Sequence, residues 1–186
     1  MAKSEEPRKN EPISLKEFFE IAIKHAFYER MEFMLQPEIE SYLVQLLCSF
    51  LREDNLFPLK DENGQVLNSI LEMLQYGDIR LKASSFDQER RVHRHIGDLL
   101  LFSSGLFPDL LKRLGIGSGD SLVKDASHQG KECYLIASSF DYDPHAEEAK
   151  VFKKLSESFT DYQYGLGLIR KTVCNIGGSN WTGLSA

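Results

Sequence analysis

The stretch Arg90–Gly115, RRVHRHIGDLLLFSSGLFPDLLKRLG, joins the longest apolar-rich run of the chain to its densest group of ionisable side chains. Leu99, Leu100, Leu101 and Phe102 point in every direction around one helical turn, the pattern of a helix buried in the middle of a bundle. Upstream, Ser85 and Gln88 have capping-box spacing, which starts the helix. Gly105 or the Pro108 region interrupts it. The spacing predicts a central helix over about 85–104.

Working outward, the other segments also follow helical spacing. Ser14 and Glu17 cap a first helix that carries Leu15, Phe18, Phe19, Ala22, Ala26 and Phe27 to about Met34. Pro37 opens a second, with Glu38 and Glu40 at the positive end of its dipole. Val66–Tyr76 reads as a third, stopped by Gly77. Beyond the central helix, GIGSGD over 115–120 reads as a helix stop and linker. It lacks the preceding strand and the lysine that a phosphate loop requires. Leu122, Ala126, Gly130, Cys133, Ala137 and Phe140 share one helical face, and Gly130 marks a break or a close helix crossing. Asp143-Pro144 predicts a helix start with Asp143 as N-cap, and a last helix follows over about 161–173, weakened by Gly165 and Gly167. The fold class is all-α: a single-domain bundle of six to eight helices over 13–175, with polar tails at 1–12 and 176–186.

Composition narrows the function classes. With 186 residues, 42% hydrophobic, one ordinary core is expected. A formal charge of −6 lacks the diffuse attraction to phosphate from which nucleic-acid binding begins, so no nucleic-acid partner is expected. No uncharged apolar run is long enough to span a bilayer, and the charged N-terminus has no secretory core, so the expectation is a cytoplasmic protein without a membrane partner. Cys48, Cys133 and Cys174 are odd in number and lack CxxC spacing, as free thiols in a reducing compartment would be.

The candidate catalytic residues are Asp98, His93 and Arg94. Asp98 borders the turn that is apolar all round, and a buried carboxylate must be paired or tuned for chemistry. Arg94, four residues back, can pair with it. His93 lies on the face of Ile96, Leu100 and Phe107, whereas His95 points elsewhere, so the two cannot share a metal. His25 and Glu29, like Glu89 and His93, stand four apart on one helical face. The di-iron carboxylate pattern needs three, and no metal site is expected. Asp141, Asp143 and His145 resemble the start of a calcium loop, but Ala146 and Phe152 stand where the loop needs Gly and Glu. Ser127, His128 and Asp125 have no nucleophile motif around them.

Two resemblances rest on these residues. Arg94-His-Ile-Gly97-Asp98-Leu99, followed by Phe102-Ser-Ser-Gly105-Leu-Phe107, resembles a motif of helical bacterial proteins of unknown function; it implies a helical fold and no particular activity. The Arg-x-x-Gly-Asp-Leu portion is also similar to the distal helix of haem oxygenases. That similarity implies His25 as a cofactor-binding haem ligand, Gly97 as the residue of close approach and Asp98 as the organiser of distal water. Leu100, Leu101 and Phe102 replace the family's small residues after Asp-Leu.

The leading expectation is a non-catalytic protein without a cofactor, acting through contacts with a protein partner or as a homo-oligomer. Tyr142, Tyr162, Tyr164 and Trp181 are its candidate interface aromatics. The alternative is a haem-, metal- or small-molecule-binding bundle enzyme centred on Asp98.

Overall fold

The computed structural model describes residues 13–117 and 121–177, without the side chains of Glu53 and of 174–177. The tail expected at 1–12, residues 178–186 of the tail expected at 176–186 (including Trp181), and 118–120 at the end of the linker lie outside the described residues, as does the Cys174 side chain; 176 and 177 belong to the last helix rather than to a tail.

Among the described residues the fold is all-α, and a buried helix, α5 (Phe86–Leu106), is its axis. Ser85 caps it by accepting a hydrogen bond from the Gln88 backbone N–H at 3.1 Å. Around it run α1 (Leu15–Lys24), α2 (Pro37–Phe50), the one-turn α3 (Glu53–Leu56), α4 (Ile70–Gly77), the short α6 (Pro108–Arg113), α7 (Leu122–Ser138), α8 (Ala146–Glu157) and α9 (Phe159–Gly177). The nine α-helical segments exceed the expected six to eight through the two short pieces, α3 and α6. Helix α5 packs most extensively on α7, then on α9 and α4, while α8 packs mainly on α7. Small residues set the closest crossings. A methyl group on Gly77 would stand 2.6 Å from Val92, and one on Gly105 would stand 2.6 Å from Leu166.

Several boundaries differ from expectation for local reasons. The first helix does not run on to Met34; its α geometry ends at Lys24 and widens into a π turn, His25–Arg30. The extra residue in that turn buries both Ala26 and Phe27, and Phe27 meets Phe33 and Tyr162 at ring separations of 6.3 and 6.4 Å. The third helix begins at Ile70 rather than Val66, because Val66 pairs with Lys60 in an isolated bridge and a Ser69–Glu72 capping box sets the start. Asp143 is not a helix cap: α8 begins at Ala146 with His145 at the N-cap, and the Asp143-Pro144 bond is cis. The last helix runs unbroken through Gly165, where the Phe27 ring packs in the space a side chain would take. Tyr162 is not an interface aromatic, being 5% exposed between Phe27 and Phe33. No described helix is long and apolar enough to cross a membrane.

Candidate functional site

The charged half of α5 converges on Asp98, which is 7% exposed. Tyr42 from α2 and Tyr134 from α7 both donate to its Oδ1, at 2.6 and 2.7 Å. Arg94, one turn back, places Nε 3.7 Å from Oδ2. The same guanidinium donates through Nη1 to Glu148 Oε1 on α8 at 2.9 Å. Arg90 completes the chain by donating to the other Glu148 oxygen at 2.8 Å. Arg94 also lies over two rings, 5.7 Å from the Tyr42 centroid and 5.6 Å from that of Phe152. One polar chain thus ties α2, α5, α7 and α8 together.

Its electrostatics follow from burial. Removal from water pushes the Asp98 carboxyl up to about 6, against the downward pull of Arg94 and the two phenols. Burial, reinforced by the Asp98 charge beside them, raises the Tyr42 and Tyr134 hydroxyls well above the ordinary tyrosine range. At neutral pH the cluster is therefore a carboxylate held by two phenolic donors and an arginine. Such a carboxyl is tuned for proton transfer, but both of its oxygens face protein groups.

The structure separates the other sequence-predicted residues from this cluster. His93 is buried with its Nδ1 lacking a hydrogen-bond partner, and burial lowers its pKa. His95 points the other way: its Nε2 bonds the Leu56 carbonyl at 3.2 Å, its ring packs on Phe50, and burial pushes its pKa down to about 4. His25 stands on the π turn near the surface, 2.8 Å from Glu29, and shares no partner with Asp98. Gly97 is a residue of close approach, and what approaches is Tyr134: a Cβ there would stand 2.8 Å from that ring. Ser127 donates to Gln163 at 2.8 Å, and His128 lies 3.8 Å from Glu132. Among the described residues no three His, Cys, Asp or Glu side chains converge as metal ligands would.

A second candidate site lies at the N-terminal end of α5. Phe86 and Tyr142 are 60% and 52% exposed, and buried Phe140 joins them with ring separations of 6.5 and 6.4 Å. His145 extends the strip, 6.0 Å from Tyr142. The loop after α7 turns so that Phe140 plugs inward and Tyr142 faces out. Asp141 and Asp143 flank Tyr142, both exposed, and neither makes a side-chain hydrogen bond or ion pair among the described residues.

Comparison with protein-family models, curated proteins and solved structures finds no match to this chain.

Tyr42, Tyr134 and Glu148 carried no role in the sequence analysis; Tyr142 was a candidate interface aromatic and is exposed, but its grouping with Phe86 and Phe140 was not foreseen. Tyr134 carried a usable signal. It stands four residues after Gly130 among the small inward residues Ala126, Ser127, Cys133 and Ala137, as a large side chain reaching across a crossing would. Glu148 carried none, because its partners are more than 50 residues away along the chain.

Proposed function

We propose that this chain is a non-catalytic helical protein that acts through protein–protein contacts. The exposed rings of Phe86 and Tyr142, seated on buried Phe140 with part-buried His145 beside Tyr142, carry this reading. Tyrosine and phenylalanine bury much area at little entropic cost, and contact surfaces are enriched in them. Three ionisable side chains of α5, by contrast, are committed internally: Asp98 to Tyr42, Tyr134 and Arg94, and Arg90 and Arg94 to Glu148. That commitment also favours a protein partner over nucleic acid, since these guanidiniums already hold a carboxylate. The reading includes a reducing, cytoplasmic setting, supported by the free and buried Cys133 thiol, which burial pushes up to about 12.

The test is site-specific photocrosslinking in extract of the source cells. A benzophenone side chain at position 86 should give a discrete adduct, to another protein or to a second copy of the chain. The same group at Leu71, which is 65% exposed and apart from the strip in sequence, should give none. A chain that forms no adduct from position 86, or equal adducts from both positions, sinks the proposal.

A further inference from the structure

The aromatic strip has a chemical bias beyond its hydrophobicity. We infer that it docks an arginine-bearing segment of a partner protein, with guanidinium groups laid on the Phe86 and Tyr142 rings and paired with Asp141 and Asp143. The inference rests on the protein-contact reading and adds the chemistry of the partner.

Charge complementarity selects that chemistry. The arginines near the strip are already paired: Arg91 lies 3.3 Å from Asp87, and Arg90 donates to Glu148. The carboxylates at 141 and 143 have no such partner among the described residues, and they bracket the exposed tyrosine in sequence. Two exposed aromatic rings are thus joined by two exposed carboxylates on the loop that carries one of them, without a partner among the described residues.

A guanidinium uses both features at once. It is planar, stacks on a ring, and still presents its edge donors to a carboxylate, whereas an ammonium is a compact, strongly hydrated charge that cannot do both. The protein makes the same choice internally, where Arg94 lies over Tyr42 and Phe152 while donating to Glu148. Size then points to a chain rather than a small cation. Phe86 and Tyr142 are separate exposed rings, 6.5 and 6.4 Å from buried Phe140, so a segment that carries more than one guanidinium uses both.

The experiment is fluorescence anisotropy on the full chain, titrated into a labelled peptide that alternates Arg with Leu. The same peptide with Lys for Arg, and with Glu for Arg, serves for comparison. Saturable binding of the arginine peptide is expected, weaker by about tenfold or more with the lysine peptide, and absent with the glutamate peptide. The double variant F86A/Y142A should weaken arginine-peptide binding by about tenfold or more, since each ring contributes a stacking contact. D141N/D143N should weaken it by a similar factor and reduce its salt dependence. All four positions are exposed, so these variants should keep the wild-type circular dichroism spectrum. Equal binding of arginine and lysine peptides, indifference to either double variant, or no binding at all overturns the inference. If position 86 crosslinks a partner in extract while the arginine peptide fails, the contact reading stands and only its chemistry is wrong. If position 86 captures nothing, the contact reading itself has failed.

Discussion

The two halves of α5 are enclosed by different means, the polar half with Arg91 exposed and Arg94 half-buried, the apolar half without an exposed residue. From Arg90 to Asp98 the helix carries charge inward and satisfies it with directional bonds to Tyr42, Tyr134 and Glu148. From Leu99 to Leu106 every residue is buried, and the enclosure is a matter of shape: Phe102 against Phe50 and Phe107, Gly105 against Leu166, and Ser103 turned back onto the Leu99 carbonyl. One half answers to pH and salt, and the other answers to volume. A sequence that looks like a single buried segment therefore contains two kinds of stability.

The largest expected effect lies in the apolar half. Phe102→Ala removes a ring 5.4 Å from Phe50 and 5.3 Å from Phe107 in a site 1% exposed. It should cost about 3–5 kcal/mol by urea denaturation, the usual range for emptying a core aromatic site. The cost should be the same at pH 5 and pH 8. A loss that changes with pH would break the contrast, since it would couple the two halves.

Next comes Asp98→Asn, read as a difference from wild type across pH. The carboxyl is at about 6 in the fold, against an ordinary value of 3.8. The folded state therefore holds that proton more tightly than the unfolded chain. Its stabilising contribution is complete below about pH 4 and is lost as pH rises through 6, on the order of 3 kcal/mol in all. Wild type should lose that much stability relative to the Asn variant between pH 4 and pH 7. A flat difference would show that Arg94 and the phenols offset burial fully. A difference of opposite sign would show that they more than offset it.

Tyr134→Phe sharpens the same point. It removes one of two donors to Oδ1 and should cost about 1–2 kcal/mol at pH 7, because the bond ends on a charged acceptor. It should also move the Asp98 titration further upward, since that donor favours the ionised form. Carbon-detected NMR of the Asp98 carboxyl reads this directly, and a downward shift would remove Tyr134 from the cluster's electrostatics.

What was legible in the sequence divides along the same line. The apolar half of α5, its Ser85 cap and its all-round burial follow from spacing within one segment. The Arg94–Asp98 approach was legible for the same reason, being one turn apart on one helix. The two phenols and Glu148 were not, because they arrive from α2, α7 and α8 at separations that no local pattern encodes. Local geometry also misled at Asp143-Pro144, where good capping chemistry was overridden and the helix began at Ala146 instead. Phe86 stands in the first turn of α5 with no local pattern to mark it, and it joins Phe140 and Tyr142 only because the loop after α7 folds beside it.

The smallest effect tests whether the polar chain acts as one unit as far as its outer end. Glu148 is 44% exposed at its side chain, while Arg90 beneath it is only 8% exposed and carries a buried Nε without a hydrogen-bond partner. Water screens the glutamate, so its bonds alone are modest; the buried guanidinium is the side that suffers when they go. Glu148→Gln keeps the shape and removes the charge, leaving Arg90 with Asp87 at 3.5 Å as its remaining ion pair. The expected loss is about 1 kcal/mol at low salt, shrinking toward zero near molar salt as the wild-type pair is itself screened. A loss that ignores salt would mean that Glu148 holds α8 by packing. The chain of charges would then end at Arg94, and the polar half of α5 would be a cluster of three helices rather than four.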